Sequence, residues 1–154
     1  MSPQFSVIIP TYNRRAYITE AIESVLAQTY PAYEIIVYDD GSTDSTESVI
    51  DRYTDHIKYT RAENEGVVMA RKKAIAMASG SWVALLDSDD MWRANYLEDV
   101  AGCIKEFPMA ELVVTNFCNF DSNGVEFFDQ FAAAPDGWWS SVVERQINKF
   151  ALLN

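Results

Sequence analysis

Cysteine is scarce in this sequence, with only Cys103 and Cys118 among 154 residues. Two cysteines at this spacing fit neither a disulfide framework nor a zinc site, so we expect buried thiols in a reducing compartment. No apolar run approaches the roughly 18 residues that a membrane span needs, and the first residues do not resemble a signal peptide. These absences predict a cytoplasmic protein without a transmembrane segment, with peripheral attachment to a membrane as an alternative.

Basic residues are also few, 12 against 23 acidic residues, which gives a formal net charge of -11. A field of this sign repels nucleic acid and anionic lipid head groups, so neither is an expected partner. An anionic ligand such as a nucleotide diphosphate would need a bridging cation or a local basic spot. The single histidine, His56, leaves a Ser-His-Asp triad unsupported. The hydrophobic share of 49% is typical of one globular domain.

Hydrophobic periodicity predicts an alternation of strands and helices. Short apolar runs predict five strands, at Phe5–Ile9, Glu34–Tyr38, Ile57–Arg61, Trp82–Leu86 and Leu112–Phe117. Apolar residues at helical spacing predict helices between them, containing Ile18–Leu26, Val49–Tyr53, Val67–Ala78 and Leu97–Ile104. Near-continuous apolar strands are typical of a mainly parallel sheet with helices on both faces, which is a three-layer α/β/α fold.

Several local features carry their own expectations. Pro10 is expected to end the first strand, and Asp44 with Glu47 three residues later resembles a capping box. Ser79-Gly80 is expected to close the third helix, whose one face would hold Val67, Ala70, Ala74, Ile75 and Ala78, and Trp82–Leu86 is expected to be fully buried. Later in the chain, the sequence predicts a turn at Asn119–Gly124, a strand at Val125–Phe131 and a partly helical segment at Trp138–Asn154.

Three polar loops follow predicted strands, at Pro10–Arg15, Asp39–Thr43 and Asp87–Asp90. The carboxyl ends of parallel strands meet at one edge of a sheet, where ligands of such folds bind. We therefore expect the three loops to form one site.

The loop Asp87–Asp90 contains the carboxylates of Asp87, Asp89 and Asp90. Carboxylates this close repel one another unless a cation is present, and crowded oxygen ligands suit Mg²⁺ or Mn²⁺. The alternative is a solvated acidic turn that caps the next helix. The cluster follows the most apolar strand of the chain, which favours the metal site.

The other candidate residues are less specific one by one. Asp39 and Asp40 are suited to accept from a base or ribose, although Asp-Gly-Ser-Thr-Asp is also a good turn and helix start. Tyr12 offers a face for base stacking, or belongs to an ordinary strand-to-helix loop. Arg71 is suited to pair with phosphate, or belongs to a surface basic run with Lys72.

Taken together, four segments resemble the glycosyltransferases of family 2, which have the GT-A fold, a Rossmann-like α/β/α architecture. They are SVIIPTYNR at Ser6–Arg14, IIVYDDGSTD at Ile35–Asp44, NEGVVMAR at Asn64–Arg71 and LLDSDD at Leu85–Asp90. Each motif is weak alone, but their order and spacing across residues 5–117 are specific.

The resemblance implies a function and a role for each matching position. The implied function is transfer of a sugar from a nucleotide-diphosphate sugar, commonly a UDP-sugar, to the hydroxyl of a glycan, lipid-linked or other acceptor, with inversion. Asp40 would bind the base, and a Mn²⁺ or Mg²⁺ ion would be held by Asp89 and Asp90. The nucleotide pocket would comprise Pro10, Thr11, Tyr12, Asn13, Asp39, Asp40, Arg71, Asp87, Ser88 and Asp89.

The sequence departs from the family pattern at its C-terminal end. The family's acceptor-facing segment and catalytic base motif are expected beyond Ala151–Asn154, so we predict that residues 1–154 form a single nucleotide-sugar-binding domain truncated on the acceptor side. The late acidic residues Asp129, Asp136 and Glu144 match no base motif, so the catalytic base is unassigned. We therefore expect this chain alone to be inactive. Its C-terminal apolar segment is expected to favour self-association.

Three alternatives remain open at this point. A nucleotidyltransferase would have a glycine-rich basic loop after the first strand, where this chain has Pro10–Arg15 without glycine. A signalling receiver domain would have an acidic pair there and a lysine after the last strand. A non-catalytic nucleotide-sugar-binding module fits the missing base.

Overall fold

The computed structural model describes residues 2–115, 117–121 and 124–128. The chain divides into two compact units, Met1–Glu98 and Asp99–Asn154. The predicted helical segment Trp138–Asn154, its predicted self-association and the three late acidic residues lie outside the described residues and stay predictions.

The first unit contains a four-stranded sheet in the order β3-β2-β1-β4, and every pairing is parallel. This confirms the predicted α/β fold. The strands are β1 (Phe5–Thr11), β2 (Glu34–Asp39), β3 (Lys58–Arg61) and β4 (Trp82–Leu85). Its helices are α1 (Ile18–Leu26), α2 (Thr46–Ile50) with a 3₁₀ turn at Asp51–Tyr53, and α3 (Val67–Ala76). A further helix, α4 (Tyr96–Glu106), begins in the first unit and ends in the second.

Both faces of the two central strands are covered. Ile8 and Ile36 are fully buried against Ala70 and Ala74 of α3, whose small side chains allow a close approach. Val37 is also fully buried, although its side chain points to the opposite face because side chains alternate along a strand. The long runs of apolar residues in β1 and β2 therefore reflect burial on both sides.

The first strand continues through Pro10 to Thr11, so the prediction that it ends at Pro10 was wrong. Even-numbered residues of β1 bond toward β4, as the bond from Leu86 N to Ile8 O shows. The last pair between β1 and β4 is Ile8 with Leu85. Pro10 lies beyond that pair, so its missing N–H removes no bond from the sheet.

The prediction of a fully buried fourth strand was also wrong. Val83 and Leu85 are 39% and 50% exposed. Among the described residues β4 pairs with β1 alone, and α3 packs on β1 and β2. The buried face of α3 is also narrower than predicted, because Val67 and Ile75 are exposed. The helix ends at Ala76, before the predicted stop.

The capping box predicted from Asp44 and Glu47 does not form. The residue before α2 is Ser45, in a left-handed conformation at φ 65°, and it makes no side-chain capping bond. Asp44 instead accepts from the backbone N–H of Thr46 at 3.0 Å. With the left-handed Ser45 as the capping residue, the helix starts one position later than the sequence pattern predicts.

The second unit contains an antiparallel pair, β5 (Phe117–Asp121) with β6 (Gly124–Phe128). The predicted strand Leu112–Phe117 was wrong, because residues 112–115 are irregular and pairing with β6 begins at Phe117. The predicted turn is also shorter, since β5 runs to Asp121. The predicted strand Val125–Phe131 is confirmed as far as Phe128. In the part of the chain that the structure describes, no helix combines the length and apolar character needed to cross a bilayer.

Candidate functional site

The loops after β1 and β2 are joined by hydrogen bonds at the carboxyl end of the sheet. Asp40 N donates to Thr11 O at 2.9 Å, which extends the ladder between the strands. Asn13 N donates to Ser42 Oγ at 2.9 Å, and Thr43 N donates to Asn13 Oδ1 at 2.7 Å. Asn13 has a φ of 52°, a left-handed conformation that asparagine tolerates better than most residues. The structure therefore brings two predicted loops into one unit.

Two further bonds extend this contact toward α1 and α2. Arg14 N donates to Thr46 Oγ1 at 3.2 Å, and Arg15 N donates to Asp44 Oδ2 at 3.0 Å. Burial acts to raise the pKa of Asp44, but hydrogen bonds from Thr46 and Arg15 outweigh it and hold the pKa below its ordinary value. Asp44 is therefore an ionised anchor for the loop after β1.

Asp39 is fully buried. Its Oδ1 accepts from Ser42 N at 2.7 Å, and its Oδ2 accepts from Tyr59 Oη at 2.8 Å. Arg61 Nε lies 4.0 Å from the same Oδ2. Burial, and then the hydrogen bond to Asp39, raise the pKa of Tyr59, so this phenol stays protonated and donates. Through these contacts, Asp39 holds the loop after β2 against β3.

Asp40 holds a different segment. Its carboxylate accepts from the backbone N–H groups of Glu65 and Gly66 at 2.9 and 2.8 Å. Asn64 Nδ2 donates to Asp40 O at 2.9 Å. Asp40 is only 3% exposed, so both of its oxygens face the entry to α3. The role in base binding stays a prediction, and the structure adds this anchoring role to it.

Gly41 allows this close approach of the loop after β2 to the segment before α3. It has a φ of 81°, and a Cβ there would lie 3.0 Å from Asn64 N and 3.1 Å from Ala62 O. A larger residue at position 41 would be strained and would push the two segments apart.

The acidic loop after β4 carries three carboxylates in three different settings. Asp87 is paired with Arg71, and Asp89 accepts from Arg14 Nε at 3.0 Å. The Asp90 carboxylate has no hydrogen-bond or ion-pair partner in the described part of the chain, and burial and the charges of Asp87 and Asp89 raise its pKa. Ser88 is buried between its exposed neighbours. No three metal-ligating side chains converge among the described residues.

Two buried polar atoms lack a hydrogen-bond partner within the described residues, Thr11 Oγ1 and Arg71 Nε. Thr11 ends β1 and is 3% exposed, and Arg71 projects from α3 toward Asp87. Buried polar atoms are normally paired, so an unpaired one requires an explanation. Both atoms belong to residues that the sequence placed in the nucleotide pocket.

The remaining predicted pocket residues differ in accessibility. Pro10 is buried inside β1, whereas Tyr12 is 45% exposed and its ring is free to stack. An open cleft of about 410 Å³ lies beside these loops. It is lined by Asn13, Arg14, Arg15, Ala16, Tyr17 and Asp44.

The sequence interpretation did not single out the residues that fix the loops. These include Tyr59 and Arg61 at Asp39, Asn64 at Asp40, and Ser42 and Thr46 at the loop after β1. Ser42 and Thr46 lie in or next to the Asp-Gly-Ser-Thr-Asp turn, so their hydroxyls were a visible signal. Tyr59 and Arg61 gave no signal, because their role depends on the pairing of β3 with β2.

A parallel sheet with polar loops gathered at its carboxyl end is the arrangement of nucleotide-binding α/β domains. Residues 6–152 match the model of glycosyl transferase family 2, and the chain belongs to this family. TuaG of Bacillus subtilis strain 168, a glycosyltransferase named for teichuronic acid biosynthesis, is 36% identical over 146 residues, covering 87% of this chain and 54% of TuaG. Glycosyltransferase GlyG of Streptococcus pneumoniae is 33% identical, covering 83% of this chain and 44% of GlyG. The chain spans about half the length of these relatives.

Solved structures agree with this fold. S. aureus TarS, residues 1–349 in complex with UDP-GlcNAc, superposes with a TM-score of 0.69 at 32% identity, covering 79% of this chain and 36% of that one. The mannosyltransferase PcManGT from Pyrobaculum calidifontis, in complex with GDP-Man and Mn²⁺, gives a TM-score of 0.60 at 29% identity, covering 75% and 35%. The GT-A fold expected from the sequence is thus confirmed.

Proposed function

We propose that this chain provides the donor-binding half of a glycosyltransferase that uses a nucleotide-diphosphate sugar, with UDP-sugar as the preferred donor class. A divalent ion assists binding, and the sugar passes to an acceptor hydroxyl with inversion. The family and the fold support the transferase class, and the loops at the carboxyl end of the sheet support the donor site.

The observation that carries this proposal is the pair of unpartnered buried atoms, Thr11 Oγ1 and Arg71 Nε. They belong to different elements, β1 and α3, that meet at the carboxyl end of the sheet. A polar ligand between the loops would satisfy both. A nucleotide diphosphate fits because it has hydroxyl and phosphate oxygens that accept from such donors.

The donor set in the acidic loop fits a hard divalent cation. Asp90 has no partner among the described residues, and Asp89 is paired with Arg14, which a divalent cation can displace. Asp89 and Asp90 would therefore hold Mn²⁺ or Mg²⁺. When bound, the ion supplies positive charge that stabilises the departing diphosphate.

The preference for uracil rests on Asp40 and on the similarity to TarS, which is solved with UDP-GlcNAc. In this proposal one Asp40 oxygen keeps its bond from the entry to α3 and accepts from the ring N–H of uracil through its second lone pair. Tyr12 provides an exposed ring for stacking. PcManGT is solved with GDP-Man, so a guanine nucleotide is the competing donor class.

In the transfer itself, the acceptor oxygen attacks the anomeric carbon while the bond to the diphosphate oxygen breaks. The acceptor proton passes to a carboxylate base, and the configuration inverts because attack and departure occur on opposite faces. No described residue is assigned as that base, so the single truncated domain, the inactivity of the chain alone and the alternative of a non-catalytic module stay predictions. The cytoplasmic location and the class of acceptor also stay predictions.

Calorimetry of the 154-residue chain tests the proposal. UDP and GDP should each be titrated with Mn²⁺ and with EDTA, followed by UDP-sugars. We expect UDP to bind in the micromolar range with Mn²⁺, and at least tenfold more weakly in EDTA. Equal binding in Mn²⁺ and EDTA would refute the metal site, and tighter binding of GDP would refute the uracil preference.

A further inference from the structure

The end of α1 is fastened to the segment that follows the acidic loop. Gln28 is 9% exposed and lies two residues beyond Leu26, the last residue of the helix. Its Nε2 donates to Arg93 O at 2.7 Å and to Ser24 O at 2.9 Å. Its Oε1 accepts from Leu97 N at 2.9 Å. One buried amide thus joins α1 to a segment more than sixty residues away in sequence.

Two neighbours of Gln28 strengthen the same contact. Ser24 Oγ accepts from Trp92 N at 3.2 Å. Thr29 N donates to Ala94 O at 2.7 Å, and its hydroxyl donates to Glu98 Oε2 at 2.7 Å. We call Ser24, Gln28 and Thr29 the α1 clamp.

The clamp lies close in sequence to Asp90 of the acidic loop. Asp90 is two residues before Trp92, the first residue that the clamp holds. The acidic loop is therefore fixed at one end by β4 and at the other by the clamp. The Asp90 carboxylate has no partner in the described part of the chain. Its position is consequently set by its backbone, and the backbone is set by these two anchors.

We propose that Gln28 is a positioning residue for Asp90, holding the exit of the acidic loop so that this carboxylate faces the cation. The inference rests on the proposed function, because it concerns the metal-assisted donor site. Gln28 would contact neither the cation nor the nucleotide, and it acts through the backbone of residues 92–97. Partners that orient a metal ligand commonly change metal affinity about 10–100-fold when removed.

Two variants test the clamp at different strengths. Gln28→Met keeps the length of the side chain but removes both donors and the acceptor. Ser24→Ala removes the bond from Trp92 N and the bond that Ser24 Oγ donates to Ala21 O within α1, and Ser24→Thr keeps a hydroxyl there. Gln4→Met is the matched control, since Gln4 is exposed and directly precedes β1, at the end of the sheet away from the acidic loop.

The measured quantity is the ratio of the UDP dissociation constant in EDTA to that in Mn²⁺. We expect Gln28→Met to lower this ratio about tenfold and Ser24→Ala about threefold, because each variant loses hydrogen bonds that hold the backbone next to Asp90. UDP affinity in EDTA should stay within about twofold of the unmodified chain. Ser24→Thr and Gln4→Met should keep the ratio. A general loss of stability would not produce this pattern at a temperature where every variant is folded.

Amide hydrogen exchange gives a second readout that needs no ligand. We expect faster exchange in residues 91–97 of Gln28→Met, with β1 and β2 unchanged. Should Gln28→Met fail to fold, Ser24→Ala carries both readouts. An unchanged Mn²⁺ ratio with faster exchange would overturn the positioning role, and unchanged exchange would overturn the clamp itself. Absence of UDP binding by the unmodified chain would instead refute the proposed function, so the failures are distinguishable.

Discussion

The two ends of the parallel sheet use their carboxylates in opposite ways. At the amino end, Glu34 accepts from Ser6 Oγ at 2.5 Å and from Ser79 N at 2.7 Å, and it pairs with Lys58 Nζ at 2.6 Å. At the carboxyl end, Asp90 has no partner within the described residues.

The pKa directions follow from this difference. Burial acts to raise the pKa of Glu34, but its hydrogen bonds, the one from Lys58 first, lower it from 4.5 to about 2. The pKa of Asp90 is raised by burial and by neighbouring negative charge. A carboxylate with every partner supplied stabilises the fold, whereas one without partners is suited to a ligand. Burial therefore does not mark the functional carboxylate here, since Asp90 is the more exposed of the two; its lack of hydrogen-bond and ion-pair partners among the described residues does.

Replacement of Asp90 is the largest expected effect and tests the carboxyl end. Asp90→Ala should abolish metal-dependent UDP binding, a loss of about a hundredfold or more, while Asp90→Glu should keep part of it. The unfolding free energy should not fall, because the removed charge was unpartnered. Calorimetry with Mn²⁺ and urea unfolding check both parts. Unchanged UDP affinity in Asp90→Ala would refute the metal assignment.

Replacement of Glu34 tests the amino end, with the opposite outcome. Glu34→Gln should lower the unfolding free energy by up to about 3 kcal/mol at neutral pH and leave the UDP dissociation constant unchanged. Because the folded-state pKa is depressed, this stability is present above pH 4.5 and is lost as pH falls toward about 2. Urea unfolding between pH 7 and 2 should therefore show a shallower decline in Glu34→Gln. A weakened UDP affinity would contradict the division between the two ends.

Asp40 combines both uses of a carboxylate, and Asp40→Asn separates them. The amide keeps one acceptor for Glu65 N or Gly66 N and turns a donor toward the other, which should cost about 1–3 kcal/mol of stability. UDP should bind about tenfold more weakly, with a smaller change for GDP. Thermal unfolding and calorimetry measure the two effects, with the exposed Asp55→Asn as the control. Lost stability with unchanged UDP affinity would restrict Asp40 to its anchoring role.

The smallest effect is expected at the exposed ion pair between Arg14 and Asp89. Arg14→Gln should tighten binding of Mn²⁺ alone by at most about fivefold, because the guanidinium no longer competes for the carboxylate and exposed pairs are worth about 0–1 kcal/mol. Arg15→Gln is the matched control on the next residue. Electron paramagnetic resonance counts free Mn²⁺ in such a titration. Weaker Mn²⁺ binding in Arg14→Gln would show that Arg14 supports the site rather than competing for it.

Much of the fold was predictable from the sequence because hydrophobic periodicity is local. The four parallel strands and the helices between them follow from apolar runs and helical spacing. The three polar loops then had to share one end of the sheet, since parallel strands end on the same side. The family was predictable from the order and spacing of four motifs, which do not depend on how the strands pair.

The sequence pattern failed where the outcome depended on neighbours. Val83 and Leu85 have the composition of a buried strand, yet they are exposed, since α3 packs on β1 and β2. Pro10 was expected to end β1, but its missing donor falls beyond the last pair with β4. In both cases the residue type was interpreted correctly and its surroundings were not visible in the sequence.

The architecture, the family and the acidic loop that follows β4 were readable from the amino-acid sequence. Which carboxylates are partnered depends on the tertiary structure, because Glu34, Asp39 and Asp40 each accept a hydrogen bond from a residue 20 or more positions away. It also decided that a glutamine at the end of α1 reaches the backbone beyond Asp90. Periodicity records which face of an element is apolar, but hydrogen-bond partners across elements depend on register and loop path, which are fixed only when the sheet assembles.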